Sequence, residues 1–417
     1  MSATLTALAV VAVGYVLTAV VFNRLSDRYG YAGGAEYVVL GVLFGPRAAN
    51  LLTAEALRDL TPLLSLALGW MGMHLGTYFR LPTLAQLDPT HVSIAFTEAT
   101  LTFLASLGLL LGLFTWVLGL PLVVAALPAV TLAAVATMTA PAAIDALERR
   151  HGARPIFRVL QLTTRVDCLI GTVAFGLLLA ILHQGEVAST VRPPTATEWA
   201  VINIAVGVAS GVLFHLFLGP REDQTDAQGD ARLFVSLAGA AVVASGAAYY
   251  LNLSPIFTNL ILGFILANTG GAHRDVTRLL ASSARPVFLA LLIVAGAAWA
   301  PGAPERLFIA PAFIALRIGA RLFGGRIAGT WGIPAGLRTP ALGRTLLAQG
   351  SLSVAVAVNY TQVLPGLMSD LVLTCALFSV LLFEVVARPE AEAVLAGTED
   401  QPAAGEARRS LETQAAL

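Results

Sequence analysis

Apolar runs long enough to cross a hydrocarbon core, which takes about 20 helical residues, recur along nearly the whole chain. Thirteen can be placed, over 4–22, 35–50, 59–79, 92–115, 120–145, 158–183, 199–219, 231–250, 253–269, 284–300, 306–330, 343–363 and 367–387. In lipid every backbone N–H and C=O must be satisfied within protein, so runs of this length are expected to be helices. Only 12% of the 417 residues are charged and the mean hydropathy is +0.79. A water-facing globular domain carries about 25% charged residues. The chain therefore reads as an all-α polytopic membrane protein. A soluble enzyme and a secreted disulfide scaffold fit poorly, and a formal net charge of zero offers no basic surface to nucleic acid.

Glycine and proline punctuate three of the runs. The second is interrupted by Gly41, Gly45 and Pro46, the fifth by Pro128 and Pro141, and the twelfth by Gly350. Cys168 and Cys375 lie inside apolar runs as small hydrophobes, and the six histidines are dispersed without ligand spacing. No metal centre or cofactor is implied, and no phosphate loop or nucleophile elbow is present. All 25 basic residues are arginine. With thirteen crossings, Arg47, Arg58, Arg192 and Arg306 fall on the N-terminal side and 17 arginines on the other, leaving 25 − 4 − 17 = 4 within segments. The positive-inside rule then places the N-terminus outside and the C-terminus in the cytoplasm of a bacterial-type inner or plasma membrane. The run at 4–22 has no basic residues before it and reads as a retained helix, not a signal peptide.

Thirteen segments divide into six over 1–183, a linker helix with loops over 184–230, and six over 231–387, followed by a tail over 388–417 expected to be disordered and cytoplasmic. An odd linker inverts the second half relative to the first, the arrangement of many secondary transporters. The interrupted fifth and twelfth segments are each fifth in their half.

Ionisable groups at membrane depth are costly and mark functional sites. Asp167 lies well inside the sixth segment, with Thr163 and Thr164 one turn earlier on the same face. A carboxylate beside two hydroxyls offers hard oxygen ligands to a small cation such as sodium. The competing reading is an aspartate paired with an arginine for packing alone. Arg165 points to another face, where it lines a vestibule or snorkels. In the eleventh segment Arg317 and Arg321 share a face at i,i+4, and buried guanidinium groups require carboxylates or freed carbonyls. Glu98, about seven residues into the fourth segment, can pair with an arginine of the eleventh or with Arg165. Pro141 cannot donate to the carbonyl of Thr137, so Thr137–Pro141 should unwind. Ala348-Gln349-Gly350-Ser351 can break the twelfth segment likewise. Unwound backbone at this depth can coordinate ions.

These residues, in order, resemble the monovalent cation/proton antiporters, which include the sodium/proton exchangers. Gly41-Val42-Leu43-Phe44-Gly45-Pro46 is similar to the family's early GxLLGP segment, Thr139-Ala140-Pro141 to its T-D/S-P break, and Val166-Asp167 to the end of its Asp-Asp or Asn-Asp motif. Leu253-Ser254-Pro255 through Gly263 and Ala267 resembles its later LSP…GxxLA segment. Arg321 stands where the family places a lysine or arginine, and Gln349-Gly350 resembles its QGGE break. The resemblance implies a core domain with two crossed, broken helices, moving against a panel that forms a homodimer. It implies Asp167 as the shared proton and cation carboxylate, completed by Thr139 and freed carbonyls, with Arg321 as a charge partner in the core. Val166, Ala140 and Ser351 depart from the acidic or amide residues of the family pattern. One titrating carboxylate is left, which implies electroneutral one-for-one exchange.

The expected function is thus exchange of protons for a monovalent cation, sodium foremost, in a lipid bilayer by alternating access. Burial opposes the charged form of Asp167 while a nearby arginine favours it, and a proton or a cation neutralises it. Two alternatives stand beside this: a sodium-coupled organic anion symporter, with Arg317 and Arg321 facing the substrate carboxylate, and a non-transporting membrane sensor or subunit.

Overall fold

The computed structural model describes residues 6, 8–16, 34–152, 154–183, 194–218, 227–269, 273–300, 308–330 and 341–415. Among them all regular structure is helical. Of the first predicted segment, residues 6 and 8–16 are helical and the rest lies outside the described residues, as do Arg24, Arg28, Arg192, Arg221, Arg306 and Arg338. Thirteen longer helices follow: α1 (Ala35–Phe44), α2 (Thr61–Thr77), α3 (Pro89–Gly112), α4 (Leu122–Thr137), α5 (Pro141–His151), α6 (Pro155–Ile181), α7 (Ala196–Leu218), α8 (Ala227–Tyr250), α9 (Pro255–Asn268), α10 (His273–Ala298), α11 (Ile309–Ala328), α12 (Ser351–Val363) and α13 (Leu367–Ala415). Among the described residues seven stretches, the broken pair Leu122–His151 included, are long and apolar enough to cross a membrane.

Local chemistry sets the boundaries. Gly45 precedes Pro46 and is extended, at φ −66° and ψ 170°, so α1 stops at Phe44 and not at 50. The Asp88 side chain accepts from the Thr90 amide and Pro89 opens the first turn of α3. That same amide holds the exposed Asp88 carboxyl below its ordinary range. Ser254 caps α9 by accepting from Phe257. Helix α10 begins eleven residues before the predicted 284, because His273–Ser283 is amphipathic rather than apolar. An Arg278–Asp275 pair lies along its first turns.

Helix α13 runs on through 388–415, and Ala391 and Leu395 are buried against Ile144 and Leu147 of α5 and Leu342 and Leu346 beyond α11. Glu392 accepts from Arg150 at 3.1 Å and from Arg388 at 3.1 Å, and Glu390 from Arg344 at 2.6 Å. An apolar stripe at helical spacing, Ala391, Val394 and Leu395, gives residues 388–395 a surface to pack on.

Close backbone approach organises the rest. Helix α1 packs on α10 and α2 on α9. A Cβ on Gly41 would fall on the Ile293 carbonyl and one on Gly296 on that of Val38. Gly72 meets Ile256 and Gly263 meets Met73 in the same reciprocal way. Small residues at such crossings let helices touch, the packing that replaces hydrophobic drive in lipid. Helix α3 packs on α11, and α4 on α12, where Ala133–Ala136 and Val354–Val358 form the buried centre.

Gly72→Ala should therefore push α2 from α9, at about 1–3 kcal/mol for an overpacked contact. Gly108→Ala, with open space around it, should stabilise α3 by about 1 kcal/mol. Thermal melting of the two purified variants in detergent checks the contrast, and equal melting temperatures would contradict it.

Candidate functional site

The site forms where the two interrupted helices meet. Pro141 offers no N–H to the Thr137 carbonyl, so α4 ends at Thr137 and the chain runs extended through Met138 and Ala140 before α5 begins. The second break falls between the short helix Leu342–Thr345 and α12, with Gly350 extended at φ −116° and ψ −173°. The breaks touch: the Ala140 amide donates to the Ala348 carbonyl at 3.0 Å. A Cβ on Gly350 would lie 2.9 Å from the Ala140 Cα, so a larger residue at either position would hold the two apart.

Backbone groups freed by each break are met by the other elements. The Thr139 hydroxyl reaches the Leu346 carbonyl at 3.1 Å, and Arg317 Nη1 donates to the Leu347 carbonyl at 2.9 Å. Gln349 Nε2 donates to Val135 at 2.8 Å, while its Oε1 accepts from Ser379 at 2.5 Å. Pairing of this kind is what allows irregular backbone at membrane depth.

Beside the breaks lies a charge cluster with no exposure: Glu98, Asp167, Arg317 and Arg321 are each 0% accessible. Arg321 bridges two carboxylates. Its Nη1 donates to both oxygens of Glu98, at 2.8 and 2.9 Å, and its Nη2 to Asp167 Oδ2 at 2.7 Å. Nη2 also donates to the Thr139 hydroxyl at 2.5 Å. That hydroxyl carries one hydrogen for two acceptors, Asp167 Oδ2 at 2.9 Å and the Leu346 carbonyl. Asp167 Oδ1 is buried without a hydrogen-bond partner. Among the described residues no three of His, Cys, Asp and Glu gather as a metal cage.

The structure brings Asp167, Thr139, Glu98, Arg321 and the Pro141 and Gly350 breaks together, and sets other candidates apart. Thr163 and Thr164 donate to their own helix, at Val159 and Gln161, and make no hydrogen bond to Asp167. A threonine one turn from a carboxylate shares its face, yet its hydroxyl finds the i−4 or i−3 carbonyl first. Arg165 stacks on the Tyr78 ring at 4.8 Å and leaves Glu98 to Arg321. Arg317 takes a carbonyl and the face of Phe383, at 4.2 Å, instead of a carboxylate.

Three contributors went unnoticed in the sequence. Thr102 donates to Glu98 Oε1 at 2.9 Å, an i,i+4 relation that the spacing alone could have suggested. Gly324 lets α11 close on α3, since its Cβ would strike the Thr102 hydroxyl. Ser379, on α13, carries no local signal.

No protein-family model matches the chain, and no curated protein does. Solved structures do. The sodium proton antiporter MjNhaP1 from Methanocaldococcus jannaschii at pH 8 superposes with a TM-score of 0.65 at 16% identity, covering 93% of this chain and 99% of that one. A structure of the same antiporter from an electron-microscopy map gives 0.62 at 15% identity, over 94% and 97%. The chain has that all-α polytopic fold, and with seven stretches among the described residues long and apolar enough to cross a membrane it is an integral membrane protein.

Arg321→Gln would leave two carboxylates facing each other in a dry interior, and removing one member of a buried pair costs about 3–5 kcal/mol. We expect that variant to melt well below wild type, and Glu98→Gln/Arg321→Gln to regain part of the loss. Melting temperatures in detergent test this; a single variant as stable as wild type would show the bridge carries no structural weight.

Proposed function

We propose that the protein exchanges protons for a monovalent cation, sodium foremost, with Asp167 as the shared site. The observation that carries this reading is an acid group buried at the crossing of two unwound helices, with one carboxylate oxygen, Oδ1, left without a donor. A buried acceptor in that condition loses its hydration and gains nothing in return. One proton on Oδ1 or one small cation beside it removes the penalty, and the two ligands exclude each other. Hard oxygen ligands suit sodium: the Asp167 carboxylate, the Thr139 hydroxyl and carbonyls of the breaks. A bare Asp167 Oδ1, with neither proton nor cation, is the costly state to carry through a dry barrier, which couples the two fluxes. One such carboxylate implies one-for-one, electroneutral exchange.

The fold similarity to a sodium proton antiporter supports the same reading. The pattern of helix contacts supports two inverted six-helix halves, 1–183 and 231–387. Exchanging the halves turns the second segment into the ninth and the third into the tenth, so the α1–α10 contact becomes the α9–α2 contact. The contacts α3–α11 and α4–α12 map onto themselves. Rocking of a core built around the breaks against the remaining helices, in a homodimer with its N-terminus outside, would expose Asp167 to each side in turn.

A second reading has its own observation: Asp167 is bound to Arg321 at 2.7 Å and fully buried, as a purely structural ion triad would be. Arg321 has both terminal nitrogens committed to Glu98, Asp167 and Thr139, which weighs against an organic anion held by both arginines.

In liposomes loaded with a pH-sensitive dye, the wild type should move protons on addition of sodium. Asp167→Asn should abolish this while the protein still folds, and Thr139→Ala should weaken apparent sodium affinity. Full sodium-driven proton flux in Asp167→Asn would reject the scheme.

A further inference from the structure

Arg317 is the anomaly of the cluster. It is completely buried, yet among the described residues it forms no ion pair. Nη1 donates to the Leu347 carbonyl, the guanidinium lies on Phe383, and Nε and Nη2 are buried without a partner. One turn further along the same face, Arg321 has engaged both available carboxylates. A role in packing is poorly met by a side chain with two orphaned donors, and a role in capping Leu347 needs only a neutral N–H. Beyond the Phe383 ring, the charge has no partner among the described residues.

Its effect follows from a count. With both carboxylates ionised, Glu98, Asp167 and Arg321 sum to minus one, and Arg317 brings the buried set to zero. A proton or a monovalent cation takes the set to plus one; a divalent cation takes it to plus two, in surroundings where charge is poorly screened. We propose that Arg317 is a specificity-determining residue, a fixed positive charge behind the carboxylates that restricts the site to guests of single charge. The proposal rests on the reading of Asp167 as a cation site. For charges on the order of 10 Å apart at an effective dielectric of about 20, one fixed charge alters affinity on the order of tenfold per unit of guest charge. Neutralising Arg317 should then tighten sodium about tenfold and calcium about a hundredfold.

The test uses the full chain, purified in detergent and reconstituted in dye-loaded liposomes. Melting temperature and proton flux are followed against sodium chloride or calcium chloride at matched ionic strength. Arg317→Gln keeps a donor for Leu347 without the charge, Arg317→Met removes both, and Arg317→Lys keeps the charge. Wild type and Arg317→Lys should respond to sodium far more strongly than to calcium. The neutral variants should show a calcium response, with the calcium-to-sodium half-saturation ratio lowered on the order of tenfold. Folded neutral variants with an unchanged ratio would overturn the proposal, as would Arg317→Lys shifting as far as Arg317→Gln. Collapse of both neutral variants beside an intact Arg317→Lys would overturn it in favour of a charge needed for folding. No response of wild type to any cation would remove the Asp167 reading itself, and this proposal with it.

Discussion

A single guanidinium holds two carboxylates in a place no water reaches. Arg321 grips Glu98 with one nitrogen and Asp167 with the other, and the planar fork of arginine makes that bridge possible where the point charge of lysine would not. Desolvating three charges is expensive, and the expense is met only while the geometry is kept. Helices α3, α6 and α11 are therefore tied together at one depth. Thr139 extends the tie to both unwound segments, because it accepts from Arg321 and donates toward Asp167 and Leu346. Moving any of these five elements disturbs the charge balance of the others.

The breaks are sustained by the same accounting. Carbonyls released where α4 stops and where α12 has yet to begin are taken up by side chains and amides from elsewhere, Gln349 and Arg317 among them. At the crossing Gly350 leaves room for Ala140, whose Cα would lie 2.9 Å from an added Cβ. A pair of interrupted helices that would be ruinous in lipid is thus stable within a protein core. It also leaves polar backbone beside a carboxylate, the chemistry a small cation needs.

Much of this architecture was legible in advance. From 35 onward a helix, or a broken pair, stands in each predicted apolar segment, and the rule that proline cannot donate located the first break at Thr137–Pro141. Buried charge at Glu98, Asp167, Arg317 and Arg321 followed from their positions in apolar runs. Other features turn on contacts that local spacing does not reveal. Thr163 and Thr164 were placed on the right face, but their hydroxyls satisfy their own helix. In 388–395 the charges are conspicuous, while the buried Ala391, Val394 and Leu395 are not.

By itself the sequence determined the solvent, the helical class, the places where helices must break and the short roster of charges that cannot be left in lipid. Each follows from local composition and covalent geometry, which need no knowledge of neighbours. Spacing offers two arginines to the carboxylates and the family resemblance points to Arg321; the tertiary structure alone supplies the reason. Arg317 and Arg321 are equivalent by spacing; what separates them is that α11 approaches α3 at Gly324, bringing Arg321 level with Glu98 and Asp167 and Arg317 level with the Leu347 carbonyl and Phe383. A partner's identity is set by which helices meet and at what height, and that information lies in packing across the bundle, beyond the reach of any window along the chain.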